Sequence, residues 1–150
     1  MAETLHLARL TAEVTHDHPE GIKGAVVVAG AIYLARTGHS MAEIREYAER
    51  FYPIDFTLDE IRPDYDFVET CQGSVPQALE AFFESTGFED AIRNAVSIGG
   101  DSDTIADMAG AIAEAYYGVN REMKDIALSY LDQDLLDIAE EFERRIILKA

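Results

Sequence analysis

Residues Gly24 to Ala35 are apolar or small without a break, set between Lys23 and Arg36. A stretch this short falls below the roughly 20 residues of a membrane span. As a helix it has no polar face, so other elements of the same fold must surround it. The chain therefore has to supply amphipathic partners for one buried helix, and its punctuation does so.

Leu7, Leu10 and Val14, at i, i+3 and i+7, mark a first helix that ends in the polar run Thr15 to His18. Pro19 suits the first turn of the next helix, with His18 as its cap, and Gly38 ends it. Ser40 with Glu43, and Thr57 with Glu60, form capping-box patterns. Residues 52–73 read as a long loop with one helical turn. Ser74 to Gln77 is predicted to cap a helix carrying Val75, Ala78, Leu79, Phe82 and Phe83, stopped by Gly87. Phe88, Ala91, Ile92 and Ala95 mark a short helix running into Gly99 and Gly100. A further helix is predicted from Thr104 to about Tyr117, burying Ile105, Met108, Ala109, Ile112 and Tyr116 and closed by Gly118. A last long helix places Leu135, Ile138, Phe142 and Ile146 on one face. No strand alternation, repeat or low-complexity tract interrupts this pattern. The class is all-α, and the length fits one domain over residues 1–150.

Twelve basic against 29 acidic residues leave a net charge of −17, which makes nucleic acid and anionic membranes poor partners. The single cysteine, Cys71, excludes an internal disulfide and fits a reducing compartment. The first residues show neither a basic region nor an apolar run, so no signal peptide is read there and a cytoplasmic location is expected.

Chemistry concentrates in Gly99-Gly100-Asp101-Ser102-Asp103-Thr104. Two glycines let the backbone turn tightly and leave room for a ligand. The carboxylates and hydroxyls behind them form an oxygen-only donor set suited to Mg²⁺ or Mn²⁺. Asp101 or Ser102 serves equally well as a helix N-cap, and local chemistry leaves both readings open. An EF-hand is excluded because Ile105 and Ile112 stand where ligands belong, and a Walker-type phosphate loop because its Lys is absent.

The stretch from Asp90 to Gly118 resembles the C-terminal signature of the ADP-ribosylglycohydrolases. Thr15 to Ala25 resembles that family's Thr-His-x-His-Pro segment with its small-residue helix, and Ser74 to Leu79 resembles the segment before the signature. The resemblance implies an orthogonal multi-helix bundle, like the C-terminal half of that fold. It also implies a Mg²⁺- or Mn²⁺-dependent hydrolase that breaks an ADP-ribosyl glycosidic bond. By the same resemblance Asp101, Asp103 and Thr104 are metal ligands, and His16, Gly99, Gly100 and Ser102 lie against the ADP-ribosyl substrate. Family members run to about twice this length. Their N-terminal half carries a Gly-Asp segment and a Thr-Asp-Asp run that supply the remaining ligands and an acidic catalytic residue. This chain has no Thr-Asp-Asp, so no catalytic residue is assigned. A truncated domain of this kind is expected to act with a separate N-terminal half or as a homo-oligomer; the alternative is a non-catalytic ADP-ribose-binding or assembly module.

Other clusters read as ordinary structure. His16 and His18, with His6 and His39 isolated, lack zinc-site spacing. Glu140, Glu141 and Glu143 stand beside Arg144 and Arg145 and read as a solvated, ion-paired face. Cys71 has no base near it in sequence, and Tyr117 is a candidate to face a nucleotide base.

Overall fold

The computed structural model describes residues 1–147, with side chains described through residue 145. The described residues contain helices and no strand. Contacts group into two compact units, Met1–Gly118 and Val119–Ala150. The first holds α1 (Ala2–Glu13), α2 (Pro19–Arg36), α3 (Met41–Glu49), α4 (Leu58–Ile61), α5 (Cys71–Phe83), α6 (Phe88–Ser97) and α7 (Ser102–Tyr117). The second holds α8 (Arg121–Leu128), α9 (Gln133–Phe142) and a π-helical turn, Glu143–Ile147.

The caps form as the local chemistry requires. His18 Nδ1 accepts from the Glu20 amide at 3.2 Å, ahead of Pro19 in the first turn of α2. Both capping boxes close, Ser40 with Glu43 and Thr57 with Glu60. Hydrogen bonds from the Ser40 and Thr57 amides hold the Glu43 and Glu60 carboxyls below the usual carboxylate range.

Three boundaries differ from those predicted. Helix α5 begins at Cys71, and Ser74 is buried inside it with its hydroxyl donating to the Thr70 carbonyl at 3.0 Å. The early start has a tertiary cause: Cys71 packs on Gly24 of α2, and Val68 folds against Gly73. Helix α5 ends at Phe83, and Gly87, in extended backbone, is the N-cap of α6 rather than a stop. Helix α7 starts at Ser102, two residues before the predicted Thr104.

Helix α2 is the buried element, closing Gly24, Val27, Gly30, Ala31, Leu34 and Ala35 from solvent. It packs against α1, α3, α5 and α7. At Gly30 the Tyr47 hydroxyl crosses so closely that a Cβ would stand 2.0 Å from it. That hydroxyl donates to the Val26 carbonyl at 3.0 Å, and burial pushes its pKa up to about 12. Phe82, fully buried, meets Tyr116 edge-on at 5.5 Å between ring centres.

The apolar spacing of α1 does not mark a buried face, for Leu7, Leu10 and Val14 are 54%, 45% and 81% exposed. In the second unit Leu135, Ile138 and Phe142 share one face of α9, also exposed, while the Ile146 side chain lies outside the described residues. Glu141 pairs with Arg144 and Arg145, and Lys124 with Glu143, which bears out the ion-paired face.

Candidate functional site

The motif is a turn pinned at both ends. Ile98 and Ile105, 2% and 0% exposed, belong to one buried cluster with Leu58, Ala78, Ala81, Ala95 and Ala109. Between them the chain turns through Gly99 (φ +80°) and Gly100 (φ +64°), where a side chain would be strained. At Gly100 a Cβ would also stand 2.6 Å from Tyr65 Cε1 and 3.0 Å from the Asp66 carbonyl. Tyr65 thus lies against the turn, and its hydroxyl donates to the Gly73 carbonyl at 2.6 Å. Its phenol is pushed up, first by burial and then by the neighbouring Asp101 charge.

Asp101 occupies the N-cap position of α7, yet its side chain makes no capping hydrogen bond. His18, Ser40, Thr57, Asn120 and Asp132 all cap their helices with side-chain acceptors. The Asp103 carboxyl is held below the usual range, chiefly by a hydrogen bond from the Asp101 side chain and then by the Thr104 and Asp103 amides. Capping therefore does not explain Asp101. Two acidic side chains that meet in this way share a proton or require a cation between them.

The donor set fits a hard divalent ion, with a limit on how tightly. Asp101 and Asp103 offer oxygens only, Asp103 and Thr104 are exposed, and Ser102 is half-buried. No group of three or more His, Cys, Asp or Glu able to hold a metal occurs among the described residues. Two carboxylates and a hydroxyl leave about half of the octahedral positions around Mg²⁺ to water, and the helix N-terminus opposes a cation.

His16 is exposed in the link between α1 and α2, with its Nδ1 2.8 Å from the Thr15 hydroxyl. It lines an open cleft of about 290 Å³ with Thr11, Ala12, Thr15, Gly21, Ala25 and Cys71. Residues 99–104 do not line that cleft. Asp101, Ser102, Asp103 and Thr104 thus stand together at the start of α7 behind Gly99 and Gly100, while His16 lines the cleft between the ends of α1 and α2. Beside Cys71, Lys23 pairs with Glu20 at 2.6 Å and sits 4.2 Å over the Tyr52 ring. The Tyr52 hydroxyl is buried without a hydrogen-bond partner, and burial pushes the Cys71 thiol up, away from thiolate chemistry. Tyr117 is half-buried, with its hydroxyl donating to the Ser85 carbonyl at 2.7 Å.

A sequence model of the family described as ADP-ribosylglycohydrolase matches residues 1–149. The chain belongs to the ADP-ribosylglycohydrolase family. Human ADP-ribosylhydrolase ARH3 is 28% identical over 190 aligned residues, covering 95% of this chain and 52% of the human protein. The ADP-ribosyl-[dinitrogen reductase] glycohydrolase of Rhodospirillum rubrum is 27% identical, covering 90% and 45%. Among solved structures, a chain of an ADP-ribosylglycohydrolase-related protein complex aligns with TM-score 0.60 and 31% identity over 76% of this chain and 43% of that one. The chain spans about half the length of the curated relatives it matches. The all-α ADP-ribosylglycohydrolase architecture is thereby established.

Tyr65 was not legible in the sequence, because nothing local marks a tyrosine 35 residues from the glycine it covers. Gly100→Ala is expected to destabilise the protein by about 1–3 kcal/mol, combining left-handed strain with a clash against the Tyr65 ring. Urea denaturation measures it, and a variant as stable as the parent means that the turn relaxes freely.

Proposed function

We propose that this chain is the ion- and ADP-ribose-holding half of an ADP-ribosyl glycohydrolase, catalytic only when the other half of the fold is supplied. The observation that carries the reading is Asp101 at the N-cap of α7 with no side-chain capping hydrogen bond, two residues before Asp103. Asp101, Asp103 and Thr104 would hold one Mg²⁺ or Mn²⁺ loosely, with water completing its shell. Such an ion supplies Lewis-acid chemistry and orients oxygens when bound. Gly99 and Gly100 leave the backbone open to an approaching ligand, and Ser102 offers a hydroxyl beside it. His16 would contact the ADP-ribosyl group from the cleft. The general acid or base is assigned to the other half of the fold, since the chain has no Thr-Asp-Asp run. A cytoplasmic location belongs to the same reading; among the described residues, no helix is long and apolar enough to cross a membrane.

Isothermal titration with ADP-ribose, with and without Mg²⁺, tests this. Binding that strengthens with Mg²⁺, with negligible release of ADP-ribose from modified arginine, is expected. Affinity indifferent to Mg²⁺ removes the ion from the reading, and absence of binding removes the reading itself. Robust turnover by a proven monomer shows that a catalytic acid lies within the chain.

A further inference from the structure

Helix α9 of the second unit carries an apolar stripe with an acidic margin. Leu135, Ile138 and Phe142 stand at i, i+3 and i+7, so at about 100° per residue they gather within about 60° of one another. They are 51%, 66% and 61% exposed, while Leu136 and Ala139, on a different side of the same helix, are half-buried. By the same geometry Asp134 and Asp137 follow one margin of the stripe. Asp137 accepts from the Gln133 side-chain amide at 2.7 Å, and neither carboxylate has a basic partner among the described residues. The described cations of this unit are engaged elsewhere. Arg121 lies 3.6 Å from Asp125, Lys124 pairs with Glu143, and Arg144 and Arg145 both pair with Glu141. Exposed apolar side chains grouped in this way mark an interaction surface, and the uncompensated acids beside them set the chemistry of what fits.

We propose that the Leu135–Ile138–Phe142 stripe docks a cationic amphipathic helix of another protein. Its apolar side chains cover the three anchors, and its Lys or Arg side chains reach Asp134 and Asp137. Anchors at i, i+3 and i+7 are the spacing by which one helix lies along another. Charge decides among the occupants. A second copy brings its own Asp134 and Asp137 to the same seam, on a chain that carries −17, and an anionic membrane meets the same repulsion. A cationic helix turns those carboxylates from repulsion into attraction, and the field of the whole chain steers it in. Such docking stands whether or not the chain binds ADP-ribose.

The test titrates the intact chain against a fluorescently labelled peptide of three heptads with Leu at a and d and Lys at e and g, followed by anisotropy, beside the same peptide with Glu in place of Lys. Micromolar binding of the Lys peptide that weakens as salt rises, with no binding of the Glu peptide, is expected. Ile138→Asp, at a position already open to water, should weaken binding at least about tenfold, and Asp134→Asn with Asp137→Asn at least about threefold. Circular dichroism confirms that each variant folds. Glu3→Gln with Asp55→Asn removes the same charge at exposed positions of the first unit and should leave binding unchanged. Weakening by this control pair equal to that by the Asp134 and Asp137 pair reports net charge alone and overturns the proposed seat. Binding indifferent to Ile138→Asp, equal binding of the Glu peptide, or no binding at micromolar concentration overturns it as well. Self-association of the chain by light scattering that Ile138→Asp abolishes overturns it in favour of a second copy.

Discussion

Arg45→Leu is expected to destabilise the protein by about 3 kcal/mol at neutral pH, the lower end of what stranding a buried charge costs. Glu80 is 4% exposed, and its carboxylate meets the Arg45 guanidinium at 2.7 Å. Arg45 also lies over the Phe83 ring at 4.3 Å and keeps about a third of its side chain in water, which is why the lower end applies. Burial pushes the Glu80 carboxyl above its usual range, Arg45 draws it down, and neighbouring Glu84 pushes it up again. A carboxyl whose folded pKa lies above the unfolded 4.5 loses stability as pH rises from that value through the folded one. Removing Arg45 raises the folded pKa further. The variant's deficit should therefore be small below 4.5, where Glu80 is neutral folded or unfolded, and full at neutrality. Urea denaturation on both sides of that range measures it. A deficit independent of pH assigns the loss to the guanidinium packing on Phe83. Adding Glu80→Gln to Arg45→Leu should recover much of the stability, because no charge then remains buried.

Replacing Asp101 and Asp103 together by asparagine is expected to abolish divalent-ion binding while leaving the fold intact. The Asp101 side chain makes no capping hydrogen bond, so its replacement removes none and α7 keeps its start. The amide oxygens remain, but the two negative charges that a cation must find at a helix N-terminus are gone. Titration followed by the paramagnetic signal of Mn²⁺ should show at most one weak ion per parent chain and none in the double variant. Retained binding places the ion elsewhere. Two tight ions per parent chain refute the count of available ligands.

Both predictions draw on features of different legibility. Asp101 and Asp103 stand out in the sequence because two acids and two hydroxyls follow paired glycines. What they do there was open, since an N-cap and a metal ligand use the same residue types. Only the side-chain geometry of α7 removed the cap reading for Asp101. Arg45 and Glu80, 35 residues apart, carry no local signal that joins them. His16 is assigned to the ADP-ribosyl group by resemblance, and nothing local in the sequence shows the cleft that it lines with Thr11, Thr15 and Cys71.

The sequence by itself determined where helices start and stop wherever the cause is local. The boxes at Ser40 and Thr57, the cap at His18 and the left-handed ends at Gly38 and Gly118 each depend on atoms within four residues. It also determined that α2 is buried, because twelve unbroken apolar or small residues leave a helix no face for water. Tertiary structure alone decided the rest. Helix α5 starts early because Cys71 fits on Gly24, and Gly100 must remain glycine because Tyr65 arrives from a distant loop. The stripe on α1 has the same periodicity as a buried face and remains exposed. Periodicity records which side chains share a face, whereas burial depends on whether another element exists to cover it.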